Sequence, residues 1–314
     1  MTGRIITGDH QIYDLPELLE WTVSYTGGVP CDSYTVQCRY NGEMAEVLHN
    51  AAGFLAMEQG AVMLRGTVDE YAVDLSDRGV TLTMTGRGYA ARLLDNESRA
   101  ATYQGATLAE IIRNHVTPYG ISCAALAPVT AGSVYTVAAG SSQWKALSDF
   151  CRFYGGFTPR FGRDGRLWAT PETDSGKRLV IGDETPVLRG TLREDRYGVL
   201  TEVLVIDKTR NVSYTVKNQD MLRRGGQCRR VLYTPGQSTY AAMRYTGEYQ
   251  IEQSKAEEKT VTLTLPGAFA AFPGEELSVD LTRAGLRGTF RVAEAENAFS
   301  VAGATTTLTL RERT

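Results

Sequence analysis

The sequence predicts a mainly β protein in which two tube-like β-barrel domains flank a small α+β module. Three observations lead to this fold class: strand-like runs at both ends of the chain, two capped helices in the middle, and a short motif that recurs near both ends. Because 314 residues can bury more than one core, we expect two or three domains. We place them at residues 1–95, 96–175 and 176–314.

Residues 1–95 show short strand-like runs separated by turns. β-Branched and aromatic residues dominate runs such as "DSYTVQCRY", "YAVDLS" and "VTLTMT", and Gly, Asn and Asp stand at the breaks. The sequence Asp77-Arg78-Gly79 is typical of a tight turn between the last two runs. Strands and turns at this spacing predict a small barrel or sandwich.

Residues 96–175 open with a well-signalled helix. Thr107 and Glu110 form a capping box, in which the threonine oxygen accepts from the Glu110 amide. Apolar residues then recur at steps of three and four, so one face of the helix is apolar: Leu108, Ile111, Ile112 and Val116. Pro118 cannot continue the helix, and Gly120 permits the exit turn. We expect this helix to pack on a sheet.

A second helix and a hairpin complete the α+β module. The helix lies in "SSQWKALSDFCRFYGG", where Gly155-Gly156 provides the end. The hairpin lies in "FTPRFGRDGRLWATPE" and turns at Asp164-Gly165. We expect the two helices to cover one face of a small sheet.

Residues 176–314 return to strands, in "VLTEVLVID", "VSYTVKN", "EKTVTLTLPG", "EELSVDL", "GTFRVAEA" and "TTTLTLRER". One helix interrupts them, from about Ser238, its expected N-cap, to Glu258. Because this helix is polar for most of its length, we expect it at a surface or a subunit boundary.

The motif "LRGT" occurs at Leu64–Thr67 and again at Leu286–Thr289, and a strand carrying "TLT" follows each copy. A third copy at Leu188–Thr191 lacks this continuation. In a strand the leucine and the glycine share one face, and a glycine there marks a bulge, a bend or a close backbone approach. We therefore interpret Gly66 and Gly288 as the same barrel corner in a duplicated motif.

The residues that could support catalysis or metal binding are each better explained by a structural role. His115 has no other histidine at helical spacing, so we interpret it as a partly buried or helix-end residue that adds little stability. Asp9-His10 suggests a dyad, but no nucleophile accompanies it. The run "GRGYAA" resembles a dinucleotide fingerprint but lacks the βαβ context, so we predict a turn. We predict no enzyme activity, no cofactor and no metal site.

Adjacent carboxylates do not converge on a substrate, so we interpret Glu257-Glu258 and Glu275-Glu276 as solvated charge. The one basic cluster is expected at a subunit interface or facing a lumen, and it comprises Arg223, Arg224, Arg229 and Arg230.

Global composition argues against several partners. The formal net charge is −3, which does not favour specific nucleic acid or an anionic membrane. No apolar run has the length of a signal peptide or a membrane span, so we expect no stable membrane insertion. The five cysteines are odd in number and irregularly spaced, which predicts reduced, mostly buried thiols in a protein made in a cytoplasm.

The chain resembles the baseplate hub proteins of contractile phage tails, the late control protein D and Mu-like hub family, and the hubs of phage-derived bacteriocins. Three segments carry the resemblance: "VMLRGTVDEYAVDLSDRGVTLTMTGRGYAARLLDNE" with "ATLAEIIRNHVTPYGI", the middle "SSQWKALSDFCRFYGGFTPRFGRDGRL", and the C-terminal "LRGTFRVAEAENAFSVAGATTTLTLRER". The resemblance covers nearly the whole chain and lies in the residue pattern and the order of the elements.

The resemblance implies a homotrimer in which each chain contributes two similar barrels. Three chains would then form a pseudo-sixfold ring that joins the sixfold tail tube to the threefold central spike, with the two barrels related by about 60°. The implied partners are the spike, the tail tube or its initiator, other baseplate proteins and the tape measure protein. The implied location is the baseplate of a virion or bacteriocin particle assembled in the bacterial host cytoplasm.

The chain ends at Thr314 without a fibre or lysozyme extension, which we interpret as favouring a contractile tail with a separate spike. Two other functions stay open: a cell-wall-degrading tail enzyme, which needs a catalytic constellation, and a glycan-binding tail protein that uses exposed members of the 16 tyrosines.

Overall fold

The computed structural model describes residues 1–27, 30, 32–171, 178–234, 238–255, 258–269 and 271–312. The strands, in chain order, are β1 (Thr2–Thr7), β2 (Ile12–Asp14), β3 (Leu18–Thr26), β4 (Ser33–Arg39), β5 (Ala51–Glu58), β6 (Ala61–Thr67), β7 (Glu70–Ser76), β8 (Gly79–Arg87), β9 (Ala101–Gln104), β10 (Cys123–Leu126), β11 (Val134–Val137), β12 (Arg160–Phe161), β13 (Leu167–Ala169), β14 (Arg178–Gly182), β15 (Arg189–Glu194), β16 (Glu202–Asp207), β17 (Val212–Lys217), β18 (Arg229–Tyr233), β19 (Lys259–Pro266), β20 (Glu276–Leu281), β21 (Leu286–Ser300) and β22 (Gly303–Glu312). The helices are α1 (Met44–His49), α2 (Ala91–Leu94), α3 (Leu108–His115), α4 (Gln143–Phe150), α5 (Gln219–Arg223) and α6 (Tyr240–Lys255).

Within these ranges ten strands form one large sheet. Its main path runs β15-β19-β22-β21-β3-β4-β8-β7, and β20 pairs with both β21 and β14. A four-stranded sheet, β2-β1-β5-β6, packs against it through a shared hydrophobic core. The mainly β fold class with two barrel regions and an α+β insertion, predicted from the sequence, is confirmed.

The large sheet has one apolar and one polar face because most of its strands alternate over most of their length. In β3, Trp21, Val23 and Tyr25 are buried, whereas Thr22 and Ser24 between them are partly exposed. Since successive side chains of a strand point to opposite faces, this alternation fixes which face packs on the core. The buried side chains come from both ends of the sequence and form one continuous core.

The α+β module has its own core, built on α3 and α4. The Thr107 hydroxyl accepts from the Glu110 amide at 3.2 Å, as the capping box predicts. Ser142 caps α4 in the same way. After α4 a short π-helical turn, Cys151–Gly155, leads to the left-handed Gly156, and the hairpin β12–β13 turns at Asp164-Gly165 as predicted.

A third core lies inside the C-terminal region. Sheet β17-β16-β18 and helix α6 enclose it, with Met243 and Ile251 packed on Val203 and Val205. The predicted cap of this helix is corrected by one residue, because it is the Thr239 hydroxyl that accepts from the amide of the first helical turn. Whether residues 1–95, 96–175 and 176–314 fold as separate domains stays a prediction.

Four of the five cysteines lie in the described ranges, and all four are free thiols: Cys38, Cys123, Cys151 and Cys228. Cys38 and Cys151 are buried, and burial raises the pKa of the Cys38 thiol to about 11. Cys31 lies outside the described residues. Over the described residues, helix length and hydropathy together identify no candidate membrane span.

Candidate functional site

The large sheet ends on both sides in an exposed strand. Among the described residues, β7 pairs only with β8 and β15 pairs only with β19. Every residue of both strands is solvent-exposed. An outermost strand carries a row of backbone N–H and C=O groups that can pair with another chain, so natural proteins usually protect such edges.

Both edges expose apolar side chains on the face that is buried elsewhere in the sheet. Val73 lies opposite the buried Leu82, yet it is 43% exposed, and Leu75 on the same face is 83% exposed. On the other edge Leu192 lies opposite the buried Val261 and is 52% exposed. Directly opposed residues of antiparallel strands share a face. Each edge therefore extends the apolar face of the sheet beyond the point where the core covers it.

The sheet consists of two halves with the same pattern of strand pairing. In the first half β3 pairs with β4, β4 with β8, β8 with β7, and β5 with β6. In the second half β15 pairs with β19, β19 with β22, β22 with the end of β21, and β20 with the start of β21. The order along the chain is also the same. All these pairs are antiparallel.

The predicted corner residues occupy corresponding places in this pattern. Gly66 lies opposite Phe54 in the β5–β6 hairpin, and Gly288 lies opposite Val279 in the β20–β21 hairpin. Their environments differ. A Cβ atom on Gly66 would come within 2.1 Å of the Arg87 carbonyl oxygen, whereas Gly288 is exposed with a φ of 152°. That the two barrels superpose stays a prediction.

The polar face of the large sheet is dominated by hydroxyl groups. The second half contributes alternate threonines of β19 and β22, and the first half contributes those of β8. They are Thr260, Thr262 and Thr264; Thr305, Thr307 and Thr309; and Thr81, Thr83 and Thr85. Two carboxylates on this face, Glu294 and Glu296, lie at the junction of the halves, and Glu296 accepts from Ser24 at 3.1 Å.

The four arginines of the predicted basic cluster form ion pairs or hydrogen bonds within the chain. Arg224 bridges two segments by pairing with Glu194 at 2.6 Å and with Glu258, and the Glu258 hydrogen bond raises the pKa of Arg224. The other three arginines have nearby polar partners: Arg223 pairs with Asp220, Arg229 with Glu202, and Arg230 with Gln250. A role at an interface or a lumen stays a prediction.

His115 is more deeply buried than the sequence suggests, with 5% of its surface exposed. Its Nδ1 lies 2.6 Å from Gln143 Oε1, and its Nε2 lies 2.9 Å from the Tyr103 hydroxyl. Gln143 Nε2 donates to the Glu97 carbonyl and to the Tyr119 hydroxyl. Because the amide oxygen of Gln143 must accept, Nδ1 donates and Nε2 accepts from Tyr103. The structure places His115 at the end of α3, as the sequence predicts, and buries it more fully than expected, as a hydrogen-bonded core residue.

The carboxylate interpretation is also corrected. Glu276 is 4% exposed and lies 3.8 Å from Arg291, and the side chain of Glu258 is largely buried against Arg224. Glu257 lies outside the described residues. In "GRGYAA", a Cβ atom on Gly86 would come within 2.0 Å of the Thr67 carbonyl oxygen, a contact within the barrel. No cluster of three or more potential metal ligands occurs among the described residues.

No protein-family model and no curated protein matches the chain. Several solved structures do match the chain. A tail protein from Neisseria meningitidis MC58 is 17% identical, with a TM-score of 0.77 over 99% of this chain and 96% of that one. The 43 kDa tail protein of prophage MuSo2 from Shewanella oneidensis is 14% identical, with a TM-score of 0.77 over 99% and 98%.

A component of the type VI secretion system, c3393 of E. coli, is 11% identical, with a TM-score of 0.60 over 95% of this chain and 74% of that one. It is described as structurally similar to the T4 tail proteins gp27 and gp5. The chain has the fold of phage tail proteins. Within that class, the resemblance to baseplate hubs found in the sequence is confirmed at the level of the fold.

Proposed function

We propose that the protein is a structural baseplate hub, a homotrimer that adapts a sixfold tail tube to a threefold central spike in a contractile tail. The observation that carries the proposal is the pair of like halves laid side by side in one sheet. A trimer of such chains presents six similar units on one side while its chains obey threefold symmetry. A tube-to-spike adaptor needs both properties.

The parts of the chain that are not duplicated support the proposed threefold contact with the spike. The α+β module follows β8, and the unit of β16, β17, β18 and α6 is inserted between β15 and β19. Each occurs once per chain, so a trimer carries three copies of each. We infer that the duplicated strands face the tube and that the single-copy units serve threefold contacts with the spike and other baseplate proteins.

Among the described residues, the arrangement of polar groups and exposed strands favours a role in assembly over a role in catalysis. The buried polar groups, such as His115 with Gln143 and Glu276 near Arg291, bind to one another inside the fold. The two edge strands of the large sheet, β7 and β15, are instead exposed along their whole length. We therefore infer a structural role without enzyme activity, located in the tail of a virion or of a phage-derived bacteriocin.

The proposal is tested by measuring mass in solution. Light scattering of the full chain, alone and mixed with the spike protein from the same particle, is expected to give three copies of this chain per complex. Electron microscopy of the complex is expected to show six similar densities around the ring on the side opposite the spike. A chain that stays monomeric with the spike present would contradict the proposed function.

A further inference from the structure

A cleft of about 800 Å³ lies where three parts of the chain meet. The α+β module contributes Trp144 and Phe157 to its lining, α6 contributes Tyr249, and the large sheet contributes Arg291 and Arg311. Ligand sites in proteins are typically concave, with volumes of about 300–1,000 Å³ and a few polar groups placed among apolar side chains. The cleft therefore has the size of a ligand site, with aromatic side chains and two arginines in its lining.

The two arginines lie directly opposite each other on neighbouring strands. Arg291 of β21 is in register with Arg311 of β22, so the two side chains share one face of the sheet. Like charges placed directly opposite each other in antiparallel strands destabilise the pairing. An anion held between the two guanidinium groups would offset this repulsion.

The two arginines differ in what they contact. Arg291 lies 3.8 Å from the carboxylate of Glu276, which is 4% exposed. Arg311 has no acidic partner among the described residues, and its Nε is buried without a hydrogen-bond partner. Buried donors without acceptors are rare in native proteins because they are costly to the fold. Arg311 therefore points to an acceptor that is supplied from outside the chain.

The acidic side chains of the lining do not supply this acceptor. All five of them pair with other basic residues of the lining, three with Arg224, one with Lys255 and one with Lys259. Within the described part of the chain, Arg311 is thus the basic residue of the cleft whose charge no carboxylate offsets.

We propose that this cleft binds an oxyanion, a carboxylate or a phosphate group, that accepts hydrogen bonds from the Arg311 guanidinium group and lies between Arg311 and Arg291. A planar guanidinium group presents parallel N–H donors that match two oxygens of such an anion. Phe157 and Tyr249 provide contact surface for the remainder of a larger ligand. Free phosphate and an acidic peptide both carry the required group.

Calorimetric titration at constant ionic strength, with inorganic phosphate and with a hexaglutamate peptide, tests the site and separates the two sources. The unchanged chain is expected to bind at least one probe. Arg311→Gln is expected to weaken that binding by about 10- to 100-fold, because a charge-assisted pair is lost. Tighter binding of the peptide identifies a protein carboxylate as the source of the anion, and tighter binding of phosphate identifies a free anion.

Two further variants separate the site from a general effect of charge. Arg311→Lys keeps the charge but loses the paired donors, so an intermediate affinity is expected. The matched control is Arg287→Gln, which lies on the same strand as Arg291, outside the cleft, and pairs with Asp280 at 2.7 Å. It is expected to leave the affinity unchanged. The probe that binds is also expected to raise the unfolding temperature of the unchanged chain but not that of Arg311→Gln.

The absence of binding of both probes to the unchanged chain at millimolar concentration would overturn the proposal. Equal weakening by Arg311→Gln and Arg287→Gln would overturn it too, because overall charge would then be the cause. If Arg311→Gln does not fold, Arg311→Lys takes its place, and an unchanged affinity in that variant counts against the site. The hub function stands in each case, because the cleft lies within one chain and the number of copies is measured separately by light scattering.

Discussion

At the scale of single residues, the interior of the α+β module depends on a histidine with two partners. His115 joins α3 to α4 through Gln143 and joins α3 to β9 through Tyr103. Replacing a buried residue of this kind removes packing and also leaves the partner groups without their hydrogen bonds. The stability assigned to His115 from its place at a helix end is therefore too small.

His115→Ala is expected to lower the free energy of unfolding by about 2–4 kcal/mol, from lost packing and unpaired polar groups. Chemical denaturation followed by fluorescence measures this. His49→Ala, at the exposed end of α1, is the matched control and is expected to change stability by less than about 0.5 kcal/mol. Equal effects for the two variants would contradict the structural role of His115.

Gly66 and Gly288 are expected to tolerate a side chain to different degrees. Gly66→Ala drives a Cβ atom into the Arg87 carbonyl oxygen, a backbone atom that cannot swing away, so we expect a loss of roughly 3 kcal/mol. Gly288→Ala meets no atom closer than 3.5 Å and costs about 1 kcal/mol through its unusual φ. Thermal unfolding of both variants checks the order, and Gly288→Ala as the more damaging change would refute it.

Asp32 makes stability depend on pH. Burial raises its pKa from the ordinary 3.8 to about 6, although its carboxylate accepts from the Thr26 amide at 2.8 Å. The folded chain binds this proton more tightly than the unfolded chain, so the Asp32 contribution to stability falls as pH rises from about 4 to 6 and is constant above.

Asp32→Asn keeps an oxygen acceptor and removes the buried charge. It is expected to raise stability at neutral pH by about 1–3 kcal/mol and to flatten the stability profile between pH 4 and 6. Denaturation across that range measures both effects. An unchanged slope in the variant would show that Asp32 is not the group responsible.

At the scale of elements, the two outermost strands matter most because all of their residues are exposed. Leu75→Asp places a charge on the apolar face of β7, where we expect a contact between copies of the proposed homotrimer. Losing that burial corresponds to about 1.5–3 kcal/mol, or roughly a 10- to 100-fold weaker association. Mass photometry over a dilution series measures this loss.

The matched control for this strand is Ile12→Asp on β2, at a position that is 60% exposed. It is expected to leave the association unchanged. Both variants should unfold at the temperature of the unchanged single chain, because neither side chain is buried in it. Equal weakening by both changes would place the interface elsewhere.

At the scale of the whole molecule, a ring formed by the proposed homotrimer would have a calculable size if the large sheets of its copies join edge to edge. The main path contributes eight strands per chain, so three chains contribute 24. With about 4.8 Å between strands and the tilt of roughly 35–45° that closing a sheet requires, the backbone ring would be about 45–52 Å in diameter. The remainder of three chains cannot fit inside such a ring. The apolar face and its covering layers must therefore lie outside, and the threonine-rich polar face must line the bore.

Electron microscopy of the assembled hub is expected to show a backbone ring of about this diameter. Closure by two or four chains would give about 30–35 Å or about 60–69 Å instead, at the same spacing and tilt. Either of those diameters, or a wall in which the eight-stranded path is not continuous between copies, would refute the whole-molecule prediction.

Much of the fold could be predicted because its signals are local. The alternation through Trp21, Val23 and Tyr25 fixes both the strand and its buried face. The cap at Thr107 begins one helix at the expected residue, and the second helix lies within its predicted segment. β1, β5 and α1 were not predicted, because each is short or irregular in its residue pattern. The separate core around Met243 was not predicted either, because its strands were assigned to the second barrel.

Residues close together in the chain were enough to predict the strand-rich class, the helices, the turns, and the recurrence of "LRGT" with "TLT". The folded chain was needed to show that β21 pairs with β3, that His115 and Glu276 are buried, and that β7 and β15 lie at the edges of the large sheet. Those facts depend on contacts between residues far apart in sequence. A local pattern specifies what a strand can bury, whereas only the folded chain specifies which neighbour it meets.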